Sequence, residues 1–138
     1  MDKNPIIVET VVKAPISLVW ECWNKPEHIT HWAFASDDWE ARDAENDLRV
    51  GGKFKTTMSA KDKSASFDFG GTYTAVTQNE LLEYDMDDTR HVKVEFNESE
   101  EGIKVTVTFD PENENPIDMQ RSGWQAISDN FKKYVESI

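Results

Sequence analysis

Two histidines three residues apart, His28 and His31, are the first place in this sequence to look for chemistry. On a helix that spacing sets two imidazoles on one side, as a zinc site requires. A third ligand is missing, because His91 is distant in sequence and the single cysteine, Cys22, belongs to the preceding predicted helix. No metal is therefore expected, and the pair reads as surface or packing residues. His31 could act as a general base near neutral pH, but no nucleophile or paired acid is identifiable beside it. Cys22 neighbours Trp20 and Trp23, has no base nearby in sequence, and reads as a small packing residue. Gly51-Gly52 lacks the Lys-Ser/Thr of a phosphate loop and leads into a strand, so it reads as a turn or bulge. The run Glu98-Ser99-Glu100-Glu101 lacks the ligand spacing of a cation site and reads as a solvated loop. No catalytic residue, metal or cofactor is assigned, and Tyr73, His31 and Glu40 are the nominees if the chain is an enzyme.

Aromatic residues carry the stronger signal. Five Trp, seven Phe and three Tyr make up 11% of 138 residues, enough apolar area for a packed core and against disorder. Twenty-seven acidic against fifteen basic side chains give a net charge of -12, which repels the phosphates of nucleic acid and of anionic membranes. Neither is expected as a partner. One cysteine excludes an intramolecular disulfide and fits a reducing compartment. The segment Met1-Asp2-Lys3-Asn4-Pro5 lacks the layout of a signal peptide and no stretch is apolar enough to span a membrane, so a cytoplasmic location is expected.

The elements that position these residues follow from hydrophobic periodicity. Ile6, Val8, Thr10 and Val12 alternate with Ile7, Glu9, Val11 and Lys13 as in a strand. Pro15 opens a helix with Ile16, Val19, Trp20 and Trp23 on one face, and a second short helix runs from Pro26 to about His31. About six strands follow, the clearest being the hairpin of Val92, Val94, Phe96 and Ile103, Val105, Val107, Phe109. Gly70-Gly71 marks a bulge or sharp bend. The chain closes on one long helix, with Asn115 expected as its cap, Pro116 in its first position, and an apolar stripe of Trp124, Ile127, Phe131, Tyr134, Val135 and Ile138. Gly123 inside that helix predicts a close approach to the sheet or a bend. Residues 1–138 show no repeat or linker and read as a single domain.

Several pieces, in this order and separation, resemble a known family. They are Ala14-Pro15 with Val19-Trp20, Trp23 with Pro26-Glu27 and Trp32, Leu48-Arg-Val-Gly-Gly-Lys-Phe54, Gly71-Thr-Tyr73, and Gly123-Trp124 with Phe131. The chain resembles the START-like (SRPBCC, Bet v 1-like) helix-grip superfamily, in its branch of activator of heat shock protein 90 ATPase homologue-like domains. The resemblance implies an α+β fold in which a curved antiparallel sheet of about seven strands wraps around a long C-terminal helix, with two short helices after the first strand. It also implies a space between sheet and helix where relatives commonly hold apolar or amphipathic small molecules. Two-domain chaperone activators of this branch carry an additional N-terminal domain for which 138 residues leave no room, so direct stimulation of a chaperone ATPase is not the leading expectation.

Within such a fold, strand alternation points Phe54, Met58, Phe67, Phe69, Tyr73, Phe96, Val107 and Phe109 toward Trp124, Ile127 and Phe131 of the helix. Trp32, Phe34 and Trp39 are expected at the mouth, with Tyr73, Thr56 and Gln120 as polar groups inside. The expected ligand wall is Trp32, Phe34, Trp39, Phe54, Met58, Phe69, Tyr73, Phe96, Gln120, Trp124, Ile127 and Phe131, and the expected partner is a hydrophobic small molecule. An enzyme using the same cavity and a protein-interaction or chaperone-associated module are the alternatives. A homodimer is compatible with exposed strand edges.

Overall fold

The computed structural model describes residues 4–138, so the Met1-Asp2-Lys3 part of the N-terminal segment lies outside the described residues. Strand β1 (Ile6–Val12) is followed by helices α1 (Ile16–Asn24) and α2 (Pro26–Ile29). Then come β2 (Trp39–Asn46), β3 (Lys53–Ala60), β4 (Ser66–Thr77), β5 (Leu81–Met86), β6 (His91–Ser99), β7 (Gly102–Phe109) and the long helix α3 (Ile117–Glu136). The seven strands form one antiparallel sheet in the order β1-β7-β6-β5-β4-β3-β2. Short connections make β2 to β7 a meander, and β1 closes beside β7. The sheet curls around α3, giving the α+β helix-grip fold.

Alternation decides which face packs. In β1 the side chains of Ile6, Val8 and Val12 are buried while Ile7 and Glu9 face out. In β6 and β7, Val92, Val94, Phe96, Ile103, Val105, Val107 and Phe109 form the inner wall. The glycine pairs act differently from one another. At Gly51 the backbone has φ +84, and a Cβ on Gly52 would overlap the Asp47 carbonyl, so a tight turn requires both. At Gly70-Gly71, expected to be a bulge or a sharp bend, the β3–β4 register runs unbroken, so no bulge interrupts this pairing. Here the glycines allow close approach instead, since a Cβ would sit 2.8 Å from the Phe54 carbonyl oxygen or 2.5 Å from that of Asp85. The irregularity falls between Tyr73 and Ala75, opposite β5.

Helix α3 divides into two halves. Its C-terminal half packs Phe131 against Trp23 and Trp32, at ring separations of 4.8 Å each, and buries Val135. Its N-terminal half faces the sheet across Trp124, which stacks on Phe109 at 3.9 Å. Polar side chains of α3 also cover the open edge of β1. Gln125 Nε2 donates to the Glu9 carbonyl, Lys132 Nζ to the Val11 carbonyl, and Glu136 accepts from the Lys13 amide. An edge strand is thereby denied part of its free hydrogen-bonding capacity.

Three details of α3 differ from the sequence expectation. Pro116, not Asn115, occupies the N-cap, and no side chain caps the helix. Ile138 lies past the helix end and is exposed. A Cβ at Gly123 would meet nothing within 4 Å, so neither close approach nor steric need explains this glycine.

Candidate functional site

A cavity of about 320 Å³ lies between the sheet and the N-terminal half of α3. Its position follows from where the large side chains go. Trp20, Trp23 and Trp32 from the α1–α2 region fill the space under the C-terminal half of α3, packing with Phe96 and Phe131. No comparable plug enters under Gln120, Trp124, Ile127 and Ser128, and these four residues roof the cavity. The floor is Phe54, Thr56 and Met58 of β3, Phe67, Phe69 and Tyr73 of β4, Leu82, Tyr84 and Met86 of β5, and Val107 of β7. Trp23, Ile29, Trp32 and Ala33 close one side, while Glu45, Asn46, Arg90, Glu112 and Asn115 add polar groups. The wall is predominantly apolar and aromatic, as in small-molecule pockets, whose lower size range this volume reaches.

Eight of the twelve wall residues expected from sequence line this cavity: Trp32, Phe54, Met58, Phe69, Tyr73, Gln120, Trp124 and Ile127. The other four lie elsewhere. Phe96 and Phe131 belong to the packed core around Trp23. Phe34 is partly buried, and its carbonyl accepts a 2.6 Å hydrogen bond from Asn130. Trp39 packs against Phe67 at a ring separation of 5.8 Å and is not part of the wall. Nor is Trp32 a mouth residue, since it is 5% exposed and its indole donates to the Cys22 carbonyl at 2.9 Å. Tyr84, Met86, Asn46 and Arg90 were missed. The Leu82, Tyr84, Met86 alternation in β5 could have revealed two of them; Arg90 comes from a turn, where alternation does not set side-chain direction.

The polar groups differ in what they have free. Gln120 is committed to the loop before α3: it accepts from the Glu112 amide and donates to the Glu112 and Asn115 carbonyls. Tyr73 donates to Asn46 Oδ1 at 2.6 Å, and Asn46 in turn donates to the Asn24 carbonyl at 2.7 Å. Asn24 Oδ1 is buried without a partner among the described residues. Burial pushes the Tyr73 phenol well above its usual range, against a smaller opposing effect of Asn46. Burial does the same to Tyr84, with Tyr73 adding and Arg90 opposing. Both phenols therefore stay protonated near neutral pH; Tyr73 donates to Asn46, and Tyr84 keeps a proton to donate.

The groups nominated for catalysis are not brought together. Tyr73 faces the cavity, while Glu40 is exposed on β2 and His31 is exposed and stacks on Tyr134 at 5.2 Å. His28 Nδ1 lies 2.5 Å from the Tyr134 hydroxyl, so both imidazoles of the pair engage one tyrosine. Cys22 is buried, and burial raises its thiol pKa, which leaves it a weak nucleophile. Among the described residues, no three His, Cys, Asp or Glu side chains gather as a metal would need. Among them also, no helix is long and apolar enough to cross a membrane.

This geometry has close counterparts. An AHSA1-like protein from Aeromonas hydrophila, solved in solution, is 44% identical and superposes with a TM-score of 0.90, covering 96% of this chain and 92% of that one. A protein from Cytophaga hutchinsonii is 48% identical, with a TM-score of 0.84 and coverage of 98% and 94%. Protein NE0264 from Nitrosomonas europaea shares the fold at 18% identity, with a TM-score of 0.82 and coverage of 99% and 97%. No curated protein matches the sequence significantly. The family described as Activator of Hsp90 ATPase homolog 1-like protein matches residues 13–136, nearly the whole span from the end of β1 to the end of α3, and the chain belongs to that family.

Proposed function

We propose that this chain binds an apolar or amphipathic small molecule in the cavity between the sheet and the N-terminal half of α3, without catalysing its conversion. The observation that supports this most is the cavity itself, about 320 Å³ walled mainly by aromatic and aliphatic side chains. Native interiors are close-packed, with few voids larger than a water molecule, so a space of this size is not ordinary core. A catalytic role has less support, because Tyr73, His31 and Glu40 stand apart. A chaperone-associated role is the second reading, and the family's description as activators of a chaperone ATPase supports it.

Titration with the uncharged fluorescent hydrophobic probe N-phenyl-1-naphthylamine, followed by displacement with uncharged apolar compounds, tests the first reading. Saturable, displaceable binding is expected, weakened about tenfold or more in Trp124→Ala while the circular dichroism spectrum is retained. Binding that never saturates, or that Trp124→Ala leaves unchanged, would sink it. A stoichiometric complex with a purified heat-shock chaperone, together with no probe displacement, would favour the second reading.

A further inference from the structure

We propose that the ligand of this cavity is an uncharged apolar molecule bearing one hydrogen-bond-accepting oxygen, such as a carbonyl, which docks on the Tyr84 hydroxyl. This rests on the small-molecule reading of the cavity. Tyr84 is 7% exposed and forms part of the cavity wall. Its ring is held edge-on by Phe54, Phe69 and Tyr73, at 4.7, 6.5 and 6.1 Å, so the phenol has a fixed direction. The neighbouring Tyr73 hydroxyl is satisfied by Asn46, whereas the Tyr84 hydroxyl makes no hydrogen bond to the described residues. Phenylalanine would fill the same apolar surroundings at no polar cost, and the Tyr84 hydroxyl is open to the cavity instead of sealed in the core, so it can donate into that space. A ligand oxygen supplies the missing acceptor.

Charge decides between a neutral oxygen and a carboxylate. Arg90 is the cationic residue of the wall, but its Nε is held 2.8 Å from Asp88, and Glu45 and Glu112 line the same cavity. The whole chain at -12 repels anions before they arrive. A buried anion would need a counter-charge, and the guanidinium here is already paired with Asp88 and shares the wall with two carboxylates.

Three probes of one skeleton test this: fluorene, which has no oxygen, 9-fluorenone, which has a carbonyl in its place, and fluorene-9-carboxylate. Their affinities are measured by tryptophan fluorescence quenching, and the fluorenone carbonyl stretch is read by infrared difference spectroscopy. Wild type is expected to prefer fluorenone to fluorene by roughly three- to tenfold, the worth of one neutral hydrogen bond. It should also lower the carbonyl stretching frequency relative to an apolar solvent. In Tyr84→Phe the preference and the infrared shift should both vanish while fluorene binding persists, which shows an intact cavity. In Tyr73→Phe the preference should remain. Equal binding of fluorene and fluorenone by wild type, or a preference that survives Tyr84→Phe, overturns the Tyr84 assignment and leaves the cavity reading standing. Tightest binding of the carboxylate overturns the uncharged ligand. Binding of none of the three overturns both the cavity reading and this inference.

Discussion

At the level of single residues, Gly123 and His91 show what the fold adds to a side chain's intrinsic chemistry. Glycine in a helix interior costs backbone entropy, and at position 123 an added Cβ meets nothing. Gly123→Ala should therefore stabilise the protein by about 0.5–1 kcal/mol in urea unfolding, whereas a hidden close contact would make it destabilising. His91 places Nδ1 2.7 Å from Asp85 and Nε2 2.9 Å from Glu83, and its amide donates to Asp110. Both ring nitrogens can donate to carboxylates only in the imidazolium form. The bond to Asp85 first and that to Glu83 second raise its pKa. A raised folded pKa means the stabilisation is fully present below the unfolded value near 6.5 and is lost as pH rises through the folded one. With 42% of its side chain exposed, the contribution should be about 0.2–1 kcal/mol. Thermal unfolding of wild type and His91→Gln should differ most at about pH 6 and converge at about pH 9. None of this was readable from position 91 alone, because the two acids lie on the neighbouring strand and only the β5–β6 register brings them alongside.

Helix α3 shows how one amphipathic element serves two purposes along its length. Its 20 residues span about 30 Å, longer than either the cavity or the tryptophan cluster needs. The periodic stripe from Trp124 to Val135 was legible as a buried face, since spacing alone sets which residues share a side. Which part of the stripe meets side chains and which meets empty space was not legible. That depends on Trp23 and Trp32, brought over Phe131 by α1 and the turn after α2. Phe131→Ala should accordingly cost about 3–5 kcal/mol in global stability without removing any side chain of the cavity wall. Denaturant midpoints and probe titrations on the same samples separate these effects, and a binding loss without destabilisation would contradict the division of the helix. The same helix covers the edge of β1 through Gln125 and Lys132. Replacing both by Ala should raise concentration-dependent self-association over that of the unaltered chain, measured by sedimentation.

For the molecule as a whole, charge and topology were open to inspection in the sequence, and the shape of the interior was not. Twelve excess negative charges repel one another across a small surface, so salt should raise the melting temperature as it shortens the screening length from about 20 Å near 20 mM to about 7 Å near 200 mM. A melting temperature independent of salt would show that local ion pairs already cancel the repulsion. Strand alternation, helix periodicity and short connections were sufficient to read the strands and the terminal helix, because these are local rules that each segment carries by itself, and the family resemblance implied the curved sheet gripping that helix. They also placed Phe54, Met58, Tyr73 and Trp124 on inward faces. They could not separate those from Phe96 and Phe131, which point inward as well but are met by tryptophans from distant segments. Inward direction is a property of a strand or helix; whether the space beyond is filled depends on the volumes of all the side chains that converge on it, and only the tertiary structure brings these together.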